Sequence, residues 1–207
     1  MIGRPPHSDA RLDPEQMAAE PMDEFVAWYE AAVEAEVVQP NAMSLATSMD
    51  DRPSVRTVLL KDYGPDGLVF YTNYGSRKGR QLEHNPRAAV SFNWLELHQA
   101  IRVEGTVEKL SEEASDAYYA SRPRGAQLAA GVSRQSEEIP SDDHLERAFA
   151  AASEKFAEEP IPRPDYWGGY RLSPDVVEFW QGRPDRLHHR IRYHQHEGEW
   201  VKEWLSP

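Results

Sequence analysis

Apolar residues in this chain recur with two different periods. Phe25, Trp28, Tyr29, Ala32 and Val33 fall at helical spacing, which predicts an amphipathic helix from Asp23 to near Val38. After it come runs with strand character, separated by turn residues: "AMSLATS", "SVRTVLLKDY", the turn "GPDG", "LVFYTN", "RAAVSFNWL" and the long alternating "AIRVEGTVEKL". Ser111 followed by Glu112 and Glu113 opens a short helix through Tyr119, since acid in the first turn suits the helix dipole. Pro123 starts another short helix. Ser141, Asp142 and Asp143 begin a longer one, with Leu145, Ala148, Phe149, Ala152 and Phe156 on one face. Proline-rich "EEPIPRPDYWGG" reads as a connector, and "YRLS", "DVVEFWQG" and "RLHHRIRYHQ" return to strand. Residues 1–20 are polar and aperiodic and read as a mobile arm, leaving 21–207 as a single domain. Mostly antiparallel strands with helices inserted between them predict an α+β, barrel-like fold and not a doubly wound sheet.

Composition narrows the function. The 207 residues carry 35 Asp and Glu against 23 Lys and Arg, a formal charge of -12, which argues against broad nucleic-acid or anionic-membrane binding. The absence of cysteine excludes disulfides, thiolate metal sites and thiol catalysis. No apolar run approaches the ~18 residues of a membrane span, and the N-terminus has no apolar stretch of the signal-peptide kind, so the cytoplasm is the expected compartment.

Against that acidic background the cations cluster. Near the C-terminus Arg186, His188, Arg190, Arg192 and His194 alternate with Leu187, His189, Ile191 and Tyr193. On a strand the first set shares one face. A solvated face mixes signs, because opposed like charges repel, so this one calls for an anion opposite it. His194 and His196 flank one residue, but the surrounding arginines and missing carboxylates speak against a metal, and none is expected. In "FYTNYGSRKGRQL", Tyr71 and Thr72 end a strand, and Ser76 can cap a helix beginning with Arg77 and Lys78. Free N–H groups and two cations there suit either a phosphate cradle, without P-loop or GxGxxG spacing, or a basic first turn on the surface. Arg56 and Lys61 bracket the apolar strand "RTVLLK", Tyr118, Arg122 and Arg124 stand beside a helix break, and "SRQS" (133–136) is a compact polar turn. No serine or carboxylate pair stands in the context of an activated nucleophile. Anion holders and aromatic surfaces without a nucleophile leave the hard chemistry to a cofactor.

Together "RTVLLKDYGPDGLVFYTNYGSRKGRQLEHNPRAAVSFNW", "SRPRGAQ", "SRQS", "WGGYRL", "VEFWQG" and "RLHHRIRY" resemble the pyridoxine/pyridoxamine 5′-phosphate oxidase family, in order and spacing, from about Asp23 to Pro207. The resemblance implies a split β-barrel with peripheral helices, a homodimer with FMN at the subunit interface, and oxidation of pyridoxamine or pyridoxine phosphate to pyridoxal phosphate with O2 giving H2O2. It assigns FMN contacts to Arg56, Thr57, Val58, Leu59, Lys61, Tyr71, Thr72, Arg77, Lys78, Gln135, Ser136, Trp180 and Arg190. It assigns the substrate phosphate to Lys61, Tyr118 and Arg122, and the pyridine ring to Arg186 and His188 as catalytic residues. One basic strand face would then serve both flavin and substrate.

The chain departs from the family pattern in several places. Ala100 stands where the family has a flavin-contacting glutamine, with Gln99 on the wrong face unless the register shifts. Ala126 replaces a serine, Gly131 a tryptophan and His189 an aspartate, and the first twenty residues lack the family's Arg-x-x-Tyr segment. Two further functions compete: the related FMN oxidase of phenazine biosynthesis, which shares "SRQSEE" and the Arg-Leu-His core, and a non-catalytic flavin-binding split-barrel protein.

Overall fold

The computed structural model describes residues 10–157 and 159–207. In chain order the helices are α1 (Pro21–Glu34), α2 (Arg77–His84), α3 (Glu112–Ser121), α4 (Arg124–Val132) and α5 (His144–Phe156). The strands are β1 (Ala42–Met49), β2 (Arg52–Leu59), β3 (Asp62–Gly64), β4 (Gly67–Asn73), β5 (Arg87–Trp94), β6 (Gln99–Lys109), β7 (Trp167–Gln181), β8 (His189–His196) and β9 (Glu199–Trp204). All pair antiparallel in one sheet, ordered β2-β1-β5-β6-β7-β4-β3, with β8 and β9 added on β7. The predicted α+β split barrel is the fold observed.

β7 organises the sheet. One of its edges runs along β6 from end to end. The other is shared: Trp167 to Leu172 pair with β4, and Val176 to Gln181 pair with β8. Sequence predicted two strands broken at Pro174; the structure has one 15-residue strand through it. Pro174 is tolerated because it falls between the two paired stretches, where the ladder on that edge is already interrupted. The register break between Glu104 and Gly105 absorbs the irregularity on the β6 side, and a Cβ on Gly105 would lie 2.0 Å from the Ser173 carbonyl oxygen.

The barrel core is closed by α1. Its apolar stripe sets Phe25 against Phe92 and Tyr63, and Trp28 against Phe179. The helix ends at Glu34, earlier than the predicted Val38, because Glu36 takes a left-handed backbone and Val38 points to solvent. A second core joins Tyr119, Leu128, Ile161 and Trp167 beneath α3 and α4.

Three further expectations are corrected. The strand expected from Arg186 begins only at His189, because Asp185 and Arg186 have φ of 55° and 62° and form a 3-10 turn with Pro184. Sequence also missed β9, which returns from β8 through Glu197 and Gly198, both at positive φ. Of the arm expected at 1–20, the first nine residues lie outside the described residues, while 12–18 are seated on β8 and β9. Lys202 Nζ donates to the carbonyls of Pro14 and Met17, Tyr193 Oη donates to Ala18 O at 2.9 Å, and Met17 is buried. Among the described residues no helix is long and apolar enough to cross a membrane.

Because Phe25 is fully buried among aromatic rings, Phe25→Ala should cost about 3–5 kcal/mol of stability, the range for truncating a buried aromatic. A lowered denaturation midpoint with unchanged slope is the expected result.

Candidate functional site

The turn after β4 builds the first part of the site. Ser76 caps α2 by accepting from the Gly79 N–H at 3.2 Å, as its sequence context predicts. The helix start packs so tightly on that turn that a Cβ on Gly79 would lie 2.0 Å from the Tyr74 carbonyl oxygen. Lys78 is buried, and its Nζ donates to Gln135 Oε1 at 2.7 Å, Thr72 Oγ1 at 3.1 Å and Ser76 Oγ at 3.4 Å. Arg56, from β2, donates to Thr47 Oγ1 at 2.6 Å, Ser54 Oγ at 2.5 Å and Gln81 Oε1 at 3.1 Å. Gln81, unnoticed in the sequence, accepts from Thr47, Ser54 and Arg56 and so fixes that corner.

These cations donate to neutral oxygens. Burial, with Arg56 adding, lowers the Lys78 ammonium to about 8, and burial followed by Arg77 lowers the Arg56 guanidinium. Three mutually repelling cations, Arg56, Arg77 and Lys78, therefore gather at one helix N-terminus. That donor set fits a phosphate dianion.

Beside it lies a cavity of about 510 Å³. It brings together Leu59, Lys61, Tyr71, Thr72, Tyr118, Arg122 and Gln135 of the predicted residues. Its wall is an aromatic stack: the Tyr71 and Tyr118 rings are 3.8 Å apart at 18°, and Trp167 lies 5.5 Å from Tyr71. The Arg122 guanidinium lies 4.6 Å from the centre of the Trp167 ring, and its buried Nη1 has no hydrogen-bond partner. A buried cationic donor without an acceptor fits a ligand anion. Burial raises the phenol pKa of Tyr71 and of Tyr118, so both remain neutral donors. Ala126, Ala129 and Ala130 make a less polar wall. Ser136, at φ 73°, instead lines an adjoining pocket with Gln135, while Thr57 and Val58 sit on β2.

Trp180, Arg186, His188 and Arg190 form a separate group. The His188 ring lies 4.8 Å from Trp180, and the Arg183 N–H donates to His188 Nδ1 at 3.1 Å. Arg190 makes a bidentate pair with Glu178, through Nε at 2.9 Å and Nη2 at 2.8 Å, and donates to Ser206 O. Glu178 also takes Arg102. Trp180 is eleven residues along β7 from Gly169, the partner of Tyr71, so about 35 Å of strand separates this group from the cavity wall.

The single basic strand face is thus corrected. Arg186 and His188 belong to a loop, Arg192 pairs with Glu203 at 2.7 Å, and His194 Nε2 lies 3.7 Å from the same carboxylate. Part of the anion that this face called for is intramolecular. Glu178 was overlooked, although a lone carboxylate in the apolar run "VEFWQG" was the signal. The register does not shift to rescue a glutamine at position 100: Ala100 faces Trp180 across the ladder, and Gln99 donates to Gln181 at 3.1 Å.

The sheet and its cationic cavity place the protein in the split-barrel class; a solved FMN-binding protein related to pyridoxamine 5′-phosphate oxidase, from Nostoc punctiforme, superimposes with a TM-score of 0.75 at 22% identity over 92% of this chain and all of that one. Residues 29–156 match the family described as pyridoxamine 5′-phosphate oxidase, and 167–207 match the pyridoxine 5′-phosphate oxidase C-terminal dimerisation region. A pyridoxine/pyridoxamine 5′-phosphate oxidase of Rubrobacter xylanophilus is 52% identical, covering 91% of this chain and 87% of that one. Its counterpart from Acaryochloris marina is 49% identical over 97% and 95%. The chain therefore belongs to the pyridoxine/pyridoxamine 5′-phosphate oxidase family of oxidoreductases. Among solved structures, PhzG from Burkholderia lata, in complex with tetrahydrophenazine-1-carboxylic acid, gives a TM-score of 0.90 at 32% identity, covering 95% of this chain and 98% of that one.

Lys78 makes anion binding depend on pH. A bound phosphate favours the ammonium form, so affinity should fall as pH rises through about 8, approaching tenfold per unit beyond it. Ligand-free stability should move the opposite way. The unfolded lysine keeps its proton up to its ordinary value of 10.5, so the unfolded chain binds more protons and stability rises between about 8 and 10.5. Titration with a phosphate monoester between pH 7 and 9.5 checks the first effect, and Lys78→Met should flatten the profile.

Proposed function

We propose that this protein is an FMN-dependent oxidase acting as a homodimer on pyridoxamine 5′-phosphate and pyridoxine 5′-phosphate, yielding pyridoxal 5′-phosphate, with dioxygen as electron acceptor. The observation that carries the reading is a cavity lined by Lys61, Tyr118 and Arg122 with a second anion-holding set beside it, the Lys78 corner at α2, joined to it through Thr72 and Gln135. Two phosphate-bearing molecules lying together need such a pair. A single phosphate cradle without a dinucleotide fingerprint favours FMN over FAD.

In this reading Arg56, Arg77, Lys78, Thr72, Gln135 and Ser136 hold the FMN phosphate and ribityl chain. Thr57, Val58, Leu59, Lys61, Tyr71, Trp180 and Arg190 complete the flavin site. Lys61, Tyr118 and Arg122 hold the substrate phosphate, giving Arg122 Nη1 the acceptor it lacks. When bound, FMN supplies the two-electron acceptor for the hydride leaving the substrate's C4′ carbon, and the electron pair passes on to dioxygen as hydrogen peroxide. For the amine, water supplies the aldehyde oxygen and ammonia leaves; for the alcohol, the hydroxyl proton is lost. His188 Nδ1 accepts from the Arg183 N–H, so the neutral ring carries its proton on Nε2 and offers a donor to the pyridine. Arg186, on its exposed left-handed turn, holds the ring from the same loop. These residues orient C4′ and leave the reaction without a protein nucleophile.

The separation along β7 is what favours a dimer. One chain's Arg186 loop lies far from its own cavity, so a partner's loop has to complete it. Val55 and Leu59 on β2, with Leu187 on the loop, are 67%, 39% and 67% exposed, apolar surface that a second copy would cover. Cytoplasmic location suits such a metabolic enzyme.

A second reading, oxidation of a tricyclic carboxylic acid, is favoured by the close fold match to PhzG and by the apolar wall at Ala126. The phosphate-directed trio Lys61, Tyr118 and Arg122 favours the first.

The purified protein should show a flavin band that bleaches on anaerobic addition of pyridoxamine phosphate. A flavin band that persists under these conditions sinks the oxidase reading, and bleaching only by a phenazine precursor selects the second. Arg186→Ala should keep its flavin and lose about 2–4 kcal/mol in kcat/KM, roughly 30- to 700-fold, for the phosphorylated substrate.

A further inference from the structure

His189 lies where three parts of the chain meet. Its Nδ1 is 3.1 Å from the Leu12 backbone N–H donor, and its Nε2 is 2.6 Å from Arg183 Nη1. Trp204 of β9 stands edge-on to the ring at 5.0 Å. Both ring nitrogens therefore face donors. A neutral imidazole has a single lone pair available in the ring plane, and an imidazolium has none. The ring can accept from Leu12 or from Arg183, never from both, and when protonated it accepts from neither.

The two donors belong to different working parts. Leu12 begins the segment that Lys202 and Tyr193 dock on β8 and β9. Arg183 opens the loop that carries Arg186 and His188, and its own N–H sets the His188 ring.

We propose that His189 is a positioning residue that couples the N-terminal segment to the loop carrying Arg186 and His188, through one lone pair for which both compete and which acid removes. The role of that loop rests on the function proposed above. The charged groups around the ring are Arg183 from the loop, Arg11, Asp13 and Glu15 from the segment, His188 beside it and Lys202 from β9, the last five lining one cavity of about 1040 Å³. Burial first, then Arg183 and Arg11, lowers the pKa of His189 from 6.5. With the folded value depressed, coupling is complete above 6.5 and is lost as pH falls through the lowered value.

Amide hydrogen exchange at Leu12, corrected for the intrinsic effect of pH, reads the coupling directly in the flavin-loaded protein. The parent should protect Leu12 at pH 7.5 about tenfold more than His189→Phe does, and lose that protection on acidification with the midpoint at which the His189 ring itself takes up its proton, followed by NMR. His189→Asp should keep its protection through that midpoint, since an ionised carboxylate accepts both donors at once. Across that midpoint, kcat/KM of the parent should fall about 2- to 10-fold more than that of His189→Asp, the range one hydrogen bond supports. A Leu12 amide that exchanges freely at pH 7.5, or stays protected below the midpoint of the His189 ring, overturns the proposal. So does an acid limb that His189→Asp shares with the parent. Parent-like turnover by Arg186→Ala would instead strike down the reading of the loop itself, whatever the Leu12 amide does.

Discussion

A strand has two edges, and β7 uses one of them twice. Its first half holds β4, which delivers Tyr71 and Thr72 to the cavity; its second half holds β8 and, just before it, the loop with Arg186 and His188. Tyr71, Thr72, Trp180, Arg186, His188 and Arg190 are all placed relative to this strand. The same arrangement keeps the two halves of the site apart, because pleated backbone is too stiff to fold the far end of β7 back on the near one. In the function proposed, this separation is what calls on a second copy of the chain.

Charge is distributed by the same logic. At the start of α2, Arg56, Arg77 and Lys78 meet no carboxylate among the described residues, a state that costs stability and offers affinity to an anion. Around β8 the cations are answered within the chain by Glu178 and Glu203. An excess of acid over base in the whole sequence thus coexists with locally unsatisfied cations at the start of α2 and at Arg122. The pairing of Arg190 with Glu178 also shows that a basic residue in a motif can be oriented by a neighbour before any ligand arrives.

Much of the fold was legible in the sequence. Ser76 followed by Arg77 and Lys78 announces its cap, and the spacing of Phe25, Trp28 and Ala32 announces the helix that closes the barrel. Lys61, Tyr71, Tyr118 and Arg122, far apart in the chain, line one cavity. What stayed hidden were features that depend on backbone angles or on register. Asp185 and Arg186 adopt positive φ without a glycine to signal it, so a loop read as a strand. β9 alternates tryptophan and valine with charged residues too weakly to stand out. Pro174 looked like a break because local rules cannot see that a ladder changes partners there. Residues 12–18 looked mobile because the acceptors that tie them down are their own carbonyls, reached by Lys202 and Tyr193 from nearly the other end of the chain.

The central place of β7 has a consequence during synthesis. β7 begins at Trp167, so a ribosome must complete four-fifths of the chain before β4 and β6 find their shared neighbour. Until then both strands present an open edge, and the apolar residues that β7 will cover face solvent. The nascent protein is thus a set of hairpins without a lock, a form prone to edge-to-edge association. β7 closes both edges at once, and with them the barrel.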